Sequence, residues 1–227
     1  MTSSEALPND LRVKSEDVRL ACAFIPDPDK RGAVLALYAL LETLREIPER
    51  VTEPLMGEIR LRWWFEAFEA ISQQKTPHYH PLTEQFLHLI PQYQLPCQAF
   101  MDMVEGQMPL LDPGPLAIRT ALRVVDSGEG IIARLAAQIL GQTADLTAPA
   151  RLYGMARLKL NPGLIDAGVT ELAHLERDAR QAVKALPAEL MPVALPAALA
   201  RNIWQGRDLG PLAKRLKLFW SFVTGRL

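Results

Sequence analysis

An all-α fold, a single helical bundle, is predicted by three observations. Apolar residues recur at helical spacing almost throughout the chain. Alternating Val/Ile/Thr-rich runs joined by hairpin turns are absent. The 18 prolines fall mostly between the periodic stretches, and because proline breaks a helix interior they partition the chain into about eight or nine helices.

The periodic stretches lie near residues 15–25, 29–47, 53–74, 81–90, 95–107, 115–140, 146–160, 165–186, 189–204 and 209–225, some of them short. Pro26 and Pro28 separate the first from the second, and Pro54 stands at the head of the third. The segment KTPHYHPL, residues 75–82, reads as a loop before the fourth. Pro91 and Pro96 part the fourth from the fifth, and Pro109, Pro113 and Pro115 the fifth from the sixth. Pro149, Pro162, Pro187, Pro192, Pro196 and Pro211 punctuate the rest. No repeat, low-complexity tract or linker asks for a second domain, so a single domain over residues 1–227 is expected.

In the second stretch Val34, Leu37, Tyr38, Leu41 and Leu44 recur at i, i+3, i+4, i+7 and i+10 and are expected to face the core, with Pro48 stopping or kinking the helix. Glu42 and Glu46 are four apart and Glu49 follows three later, so all three project to one side as far as the helix persists. Grouped carboxylates suit a hard cation, because Mg²⁺ takes oxygen ligands and shares them with substrate phosphate. The competing reading makes Glu42, Arg45, Glu46, Glu49 and Arg50 an exposed face laced with ion pairs one helical turn apart.

The third stretch puts Leu61, Trp64, Phe65, Phe68 and Ile71 on one apolar face and Glu58, Arg62 and Glu66 in an ion-paired row. Trp63 and Trp64 are adjacent and cannot share a direction; one belongs in the core, the other at an interface or a pocket wall. The last stretch is basic and amphipathic, with Leu212, Leu216, Phe219 and Val223 on one face and Lys214, Arg215 and Lys217 mostly elsewhere. Docking on its own bundle with the cations solvated is expected, and peripheral binding to a membrane surface is the functional alternative.

A chain of 227 residues, 49% of them hydrophobic, can bury a substantial core. A formal net charge of -1 offers no electrostatic footprint for nucleic acid, so no nucleic-acid partner is expected. Cys22 and Cys97 fit neither a metal-ligand spacing nor a disulfide framework, which points to a reducing cytoplasm. The N-terminal stretch lacks an apolar run of signal-peptide length, and no window reaches the ~18 consecutive apolar residues of a membrane span. His78 and His80 flank Tyr79 in the loop, and with His88 and His174 scattered they lack the cysteines or spaced carboxylates of a metal site. No Ser-His-Asp order, nucleophile elbow, phosphate loop or dinucleotide fingerprint appears, so hydrolase, kinase and dehydrogenase readings have no support.

The run RGAVLALYALLETLREIPERVTEPLMGEIRLRWWFEAFEAI, residues 31–71, resembles the first active-site helix pair of the squalene/phytoene synthases. Val18-Arg19, Ala23-Phe24, Pro26 and Arg31 resemble that family's approach to the helix. Asp102, Glu105-Gly106 and Leu111-Asp112 resemble its "I-E-G…D-L" segment. Gly128-Glu129-Gly130 followed by ARLAAQILG resembles the small-residue helix that lines its cavity. The resemblance covers about residues 13–160. It implies the isoprenoid-synthase type of helical bundle and, in active members, Mg²⁺-dependent coupling of two isoprenyl diphosphates.

In that family the helix bearing "ALYAF" carries an Asp-x-x-x-Asp pair that holds Mg²⁺ against the substrate diphosphate. Laid over from Ala36-Leu37-Tyr38-Ala39, those two positions fall on Arg45 and Glu49. A guanidinium cannot ligate Mg²⁺ and opposes a cation beside it. The place of the second acidic motif, Tyr153 to Gly163, holds Arg157, Lys159 and a Pro-Gly break but no acid. Asp166 and Glu171 lie further on without the required pairing, and Glu176 to Arg180 reads as a solvated helix face. The region after Pro162 is short and lacks the family's "G-R-x-Y-L-P" segment. Thr52 to Trp64, TEPLMGEIRLRWW, is similar to the "SEP-x-x-G-E-I-R-L-x-W-W" run of the family's non-catalytic branch, which includes a mitochondrial respiratory complex I assembly factor and bacterial relatives.

The resemblance therefore implies a squalene/phytoene synthase-like protein with both acidic motifs degenerate. Its implied role is non-catalytic, binding an isoprenoid or serving respiratory-complex assembly, with no cofactor and with a protein or an isoprenoid as partner. Glu42, Arg45, Glu46, Glu49, Glu58 and Arg60 are the candidate residues of a remodelled polar mouth, and Tyr38 and Trp64 of an apolar cavity wall; no residue is assigned to a metal. One alternative is an active prenyltransferase with Glu42, Glu46 and Glu49 as substitute Mg²⁺ ligands, since ionising an allylic diphosphate requires the metal. Another is a structural subunit whose cavity is filled by side chains.

Overall fold

The computed structural model describes residues 13–165 and 168–227, so residues 1–12 of the N-terminal stretch and Asp166 lie outside the described residues. After α1 (Glu16–Cys22), Asp27 starts the next helix by accepting from the backbone N–H groups of Asp29 and Lys30 at 2.9 and 3.1 Å. Pro28 occupies the first turn, where an N–H would have no helical partner. This helix, α2 (Pro28–Arg50), runs through Pro48 instead of ending there. Pro48 lies in the last turn, so only the bond back to Leu44 is forfeited. Glu42, Glu46 and Glu49 thereby remain on one continuous helix.

The stripe Val34, Leu37, Tyr38, Leu41 and Leu44 is buried, as its spacing requires. α3 (Pro54–Ser72), α4 (Pro81–Tyr93) and α5 (Cys97–Glu105) follow. Phe68, Phe86 and Phe100, one from each, meet with ring centroids 4.9 to 5.6 Å apart. Each such aromatic pair adds about 0.5–1.5 kcal/mol beyond its buried area. Trp63 and Trp64 diverge by 86°. Trp64 is buried against His80 and Phe68, and Trp63 lies half-buried on the flank, stacked on His78. His80 also starts α4, its Nδ1 accepting from the Leu82 N–H at 3.1 Å.

The stretch expected near 115–140 is α6 (Ile118–Val125) and α7 (Ile131–Leu140), joined by a π-helical turn over Asp126–Gly130. Such turns are rare and recur at functional sites. α8 (Thr147–Lys159) packs against this turn and against α9 (Val169–Val183). The stretch expected near 189–204 is broken into α10 (Met191–Ala194) and α11 (Ala200–Trp204) with 3₁₀ turns before and between them. Pro192 and Pro196 remove the N–H groups that a continuous helix would need.

Two other expectations are corrected. Glu176 is buried, not solvated: Arg201 Nε donates to its Oε1 at 2.7 Å, and Arg201 Nη2 donates to Oε2. α12 (Pro211–Thr224) docks with Lys214 and Lys217 turned inward and Leu212, Leu216, Phe219 and Val223 exposed. Fixed acids and an amide on neighbouring elements hold the lysines and decide which side faces in. Among the described residues the only β pairing is an isolated bridge between Leu116 and Ile165, and no helix is long and apolar enough to cross a membrane.

Candidate functional site

α2, the π turn, α8 and the residues leading into α1 enclose a pocket of about 310 Å³. From α2 come Tyr38, Leu41, Glu42, Arg45, Glu46 and Glu49; the π turn contributes Glu129; and Lys14 closes one side. Tyr153, Arg157 and Asn161, at i, i+4 and i+8 along α8 and the turn after it, face them across the pocket. Val18, Leu110, Leu158 and Leu164 supply apolar wall.

Five of the eight candidate residues are thus brought together, and three are not. α3 turns Leu61, Trp64 and Phe68 into the core, which leaves Glu58 and Arg60 on its exposed side. Trp64 packs on His80 and Phe68, away from the pocket. Glu58 borders a separate shallow groove with Leu55, Ile59 and Trp63.

Arg45 is the centre of the site. Its Nη1 and Nη2 donate to Glu129 Oε1 and Oε2 at 2.5 and 2.6 Å, and its Nε to Gln107 Oε1 at 3.4 Å. The Arg45 side chain is 17% exposed and that of Glu129 3%. A two-pronged guanidinium–carboxylate pair of this kind is strong and directional. The surface ion-pair reading of Arg45 is therefore wrong: the side chain points into the bundle. The π turn carries Glu129 to this position, and Arg151 of α8 ties the same turn down through Asp126 at 2.7 and 2.8 Å. Two glycines leave the pair its room. A Cβ on Gly154 would stand 2.8 Å from Glu129 Oε2 and 2.5 Å from Val125 Cγ1. One on Gly128 would stand 3.1 Å from Arg45 Nη2.

The carboxylates of Glu42 and Glu46 are also engaged. Glu42 accepts from the backbone N–H groups of Lys14 and Ser15 at 2.6 and 3.1 Å, tying α2 to the start of α1. Glu46 pairs with Lys14 and, at 2.6 Å, with Arg50. Glu49 is exposed at the rim, and Arg157 has no ion-pair partner among the described residues. Burial pushes the phenols of Tyr38 and Tyr153 well above their ordinary range, although Arg157 and a 3.1 Å contact with Ser15 oppose it at Tyr153. Both tyrosines stay protonated at neutral pH and neither serves as a base.

These residues do not fit a Mg²⁺–diphosphate centre. Hard cations need free carboxylate oxygens, and those of Glu42, Glu46 and Glu129 are taken by backbone N–H groups, Lys14, Arg50 and Arg45. Among the described residues no three His, Cys, Asp or Glu side chains are grouped to hold a metal ion.

Sequence reasoning missed Lys14, Glu129, Tyr153, Arg157 and Asn161 as site residues. The spacing of the last three was a usable signal, because i, i+4 and i+8 share one helix face. Glu129 gave only a faint one, an acid between two glycines just before the apolar run Ile131-Ile132.

No curated protein matches the chain. A family model described as squalene/phytoene synthase, a family of all-α isoprenoid-synthase fold, matches residues 11–161. That span runs from the residues before α1 to the end of α8 and so takes in every helix around the pocket. The chain belongs to the squalene/phytoene synthase family.

Proposed function

We propose that this chain is a non-catalytic member of its family, whose pocket binds an isoprenoid-type ligand without Mg²⁺ or any other cofactor. The observation that carries this reading is the buried Arg45–Glu129 pair, which puts a guanidinium at one first-motif position and occupies the carboxylate nearest to it. The facing residues agree with it. Arg157 and Asn161 stand where a second carboxylate set would be needed, and they favour an anionic or polar head group directly. The apolar side chains of Val18, Leu110, Leu158 and Leu164 suit a hydrocarbon portion. A volume of about 310 Å³ lies at the lower end for one small ligand, whereas head-to-head coupling must hold two prenyl chains. In the cell this role is one of carrying or presenting the ligand, or of helping a protein partner such as a respiratory complex to assemble, in the cytoplasm or at a membrane surface.

The test is incubation of folded protein with farnesyl or geranylgeranyl diphosphate, with Mg²⁺ or with EDTA, while diphosphate release and any C30 or C40 product are followed. Binding that survives EDTA, with no diphosphate released, is expected. Mg²⁺-dependent release that Glu46→Gln abolishes would overturn the proposal and make the protein a prenyltransferase with glutamate ligands.

A further inference from the structure

The last helix sits on the bundle the wrong way round for its sequence. Lys214, Lys217 and Ser221 of α12, at i, i+3 and i+7, face the protein. Lys214 Nζ lies 3.3 Å from Glu16, 3.4 Å from Asp17 and 3.2 Å from Asp208, and Lys217 Nζ donates to Asn202 Oδ1 at 2.7 Å. Leu218 is buried, and the Phe222 ring packs tilted against Phe24 with centroids 4.7 Å apart. On the outer side Leu212, Leu216, Phe219, Trp220 and Val223 are 71%, 51%, 49%, 61% and 58% exposed. An amphipathic helix of a bundle ordinarily buries its apolar stripe; this one is anchored by its polar edge and presents the stripe.

We propose that this stripe seats the protein on an anionic lipid surface. Area separates a membrane from a second protein. A helix of 14 residues is about 21 Å long and roughly 10 Å wide, so its outer face offers on the order of 200 Å². A stable protein interface buries about 800 Å² on each partner, several times more. Insertion at a bilayer boundary needs only such a face, with bulky apolar and aromatic side chains flanked by cations. Charge points the same way. Residues 211–224 contain no acid, and with Lys214 and Lys217 held inward by their partners the outward cations are arginines. Arg215 is exposed beside the stripe, and the exposed Arg226 follows the helix. Phe219 and Trp220, rings 6.3 Å apart, are of the types that settle at head-group depth. Lipid docking stands independently of what the pocket binds.

The full chain is sedimented with vesicles of phosphatidylcholine alone or mixed with phosphatidylglycerol. Binding to the mixed vesicles is expected, weakened roughly tenfold or more by Phe219→Glu with Trp220→Glu. Arg215→Gln weakens it about five-fold. The altered side chains are exposed, so unchanged circular dichroism and thermal midpoint show that the variants fold; Leu212→Glu with Val223→Glu repeats the test from the other end of the stripe. Brominated lipid quenches Trp220, and Trp220→Phe removes that quenching. A wild-type chain that stays in the supernatant with both vesicle types overturns the proposal. So does a chain that ignores vesicles but passes from dimer to monomer on Phe219→Glu, which would give the stripe to a second copy.

Discussion

At the scale of single residues the site is governed by one substitution and its answer. Arg45 stands at a position that reads as a metal-ligand position in the sequence, and its charge is met by Glu129, 84 residues away. Removing one member of a buried pair strands the other charge in a poorly solvated place, at a cost of about 3–5 kcal/mol. Arg45 retains some exposure, so thermal unfolding of Arg45→Met should show a loss near the lower end, about 3 kcal/mol. The double variant with Glu129→Met should recover most of it. Similar instability in both variants would mean that the pair is not what holds these helices together. A second residue-scale effect depends on pH. The hydrogen bonds from Arg201 hold the Glu176 carboxyl below its ordinary value of 4.5. A carboxyl lowered in the folded state adds stability that is present above pH 4.5 and is lost as the pH falls through the folded value. Arg201→Ala should therefore lower the thermal midpoint at pH 7, and the deficit should shrink below pH 4.5. A deficit that does not change with pH would assign Arg201 a packing role alone.

At the scale of elements, what the sequence made legible was periodicity, and what it hid was registry between distant elements. The α2 stripe and the face carrying Glu42, Arg45, Glu46 and Glu49 could be read from spacing alone. The π turn could not, because the polar, glycine-containing run Asp126–Gly130 marks an interruption of the apolar period but not a widened turn that keeps the chain helical. The inversion of α12 was hidden for a related reason. An amphipathic pattern says that two faces differ, and the acids of α1 decide which one docks. The fit between α8 and the π turn makes a sharp test. Gly154 lies inside α8, where alanine is intrinsically favoured by about 1 kcal/mol. Its new Cβ would collide with the Val125 and Glu129 side chains, and overpacking of this kind costs about 1–3 kcal/mol. Gly154→Ala should therefore destabilise the protein in a urea titration despite the gain in helix propensity. A stabilised variant would show that Glu129 can shift away without loss.

At the scale of the whole molecule, the fold class followed from helical spacing and proline placement, because both act locally. The part of the candidate pocket's lining that lies on α2 could be read as well, since it sits on one helix. The rest of that lining comes largely from the residues before α1, from the π turn and from α8, and only the closed bundle brings these to α2. The same closure uses up the carboxylates of Glu42, Glu46 and Glu129, which makes the metal dependence of overall stability informative. A ligand that binds only the folded state at a hundredfold excess over its Kd adds about 2.7 kcal/mol. In a chain of this size that corresponds to a rise of roughly 5–10 °C in thermal midpoint. Mg²⁺ alone, or Mg²⁺ with inorganic diphosphate, should leave the midpoint where EDTA leaves it, because the oxygens of Glu42, Glu46 and Glu129 already serve Lys14, Ser15, Arg50 and Arg45. Farnesyl diphosphate should raise it equally in Mg²⁺ and in EDTA, through Arg157, Asn161 and the apolar wall. A rise that needs Mg²⁺ and disappears with EDTA would mean that the internal pairs open to admit the metal, and that the pairing around Arg45 is a resting state of an active site.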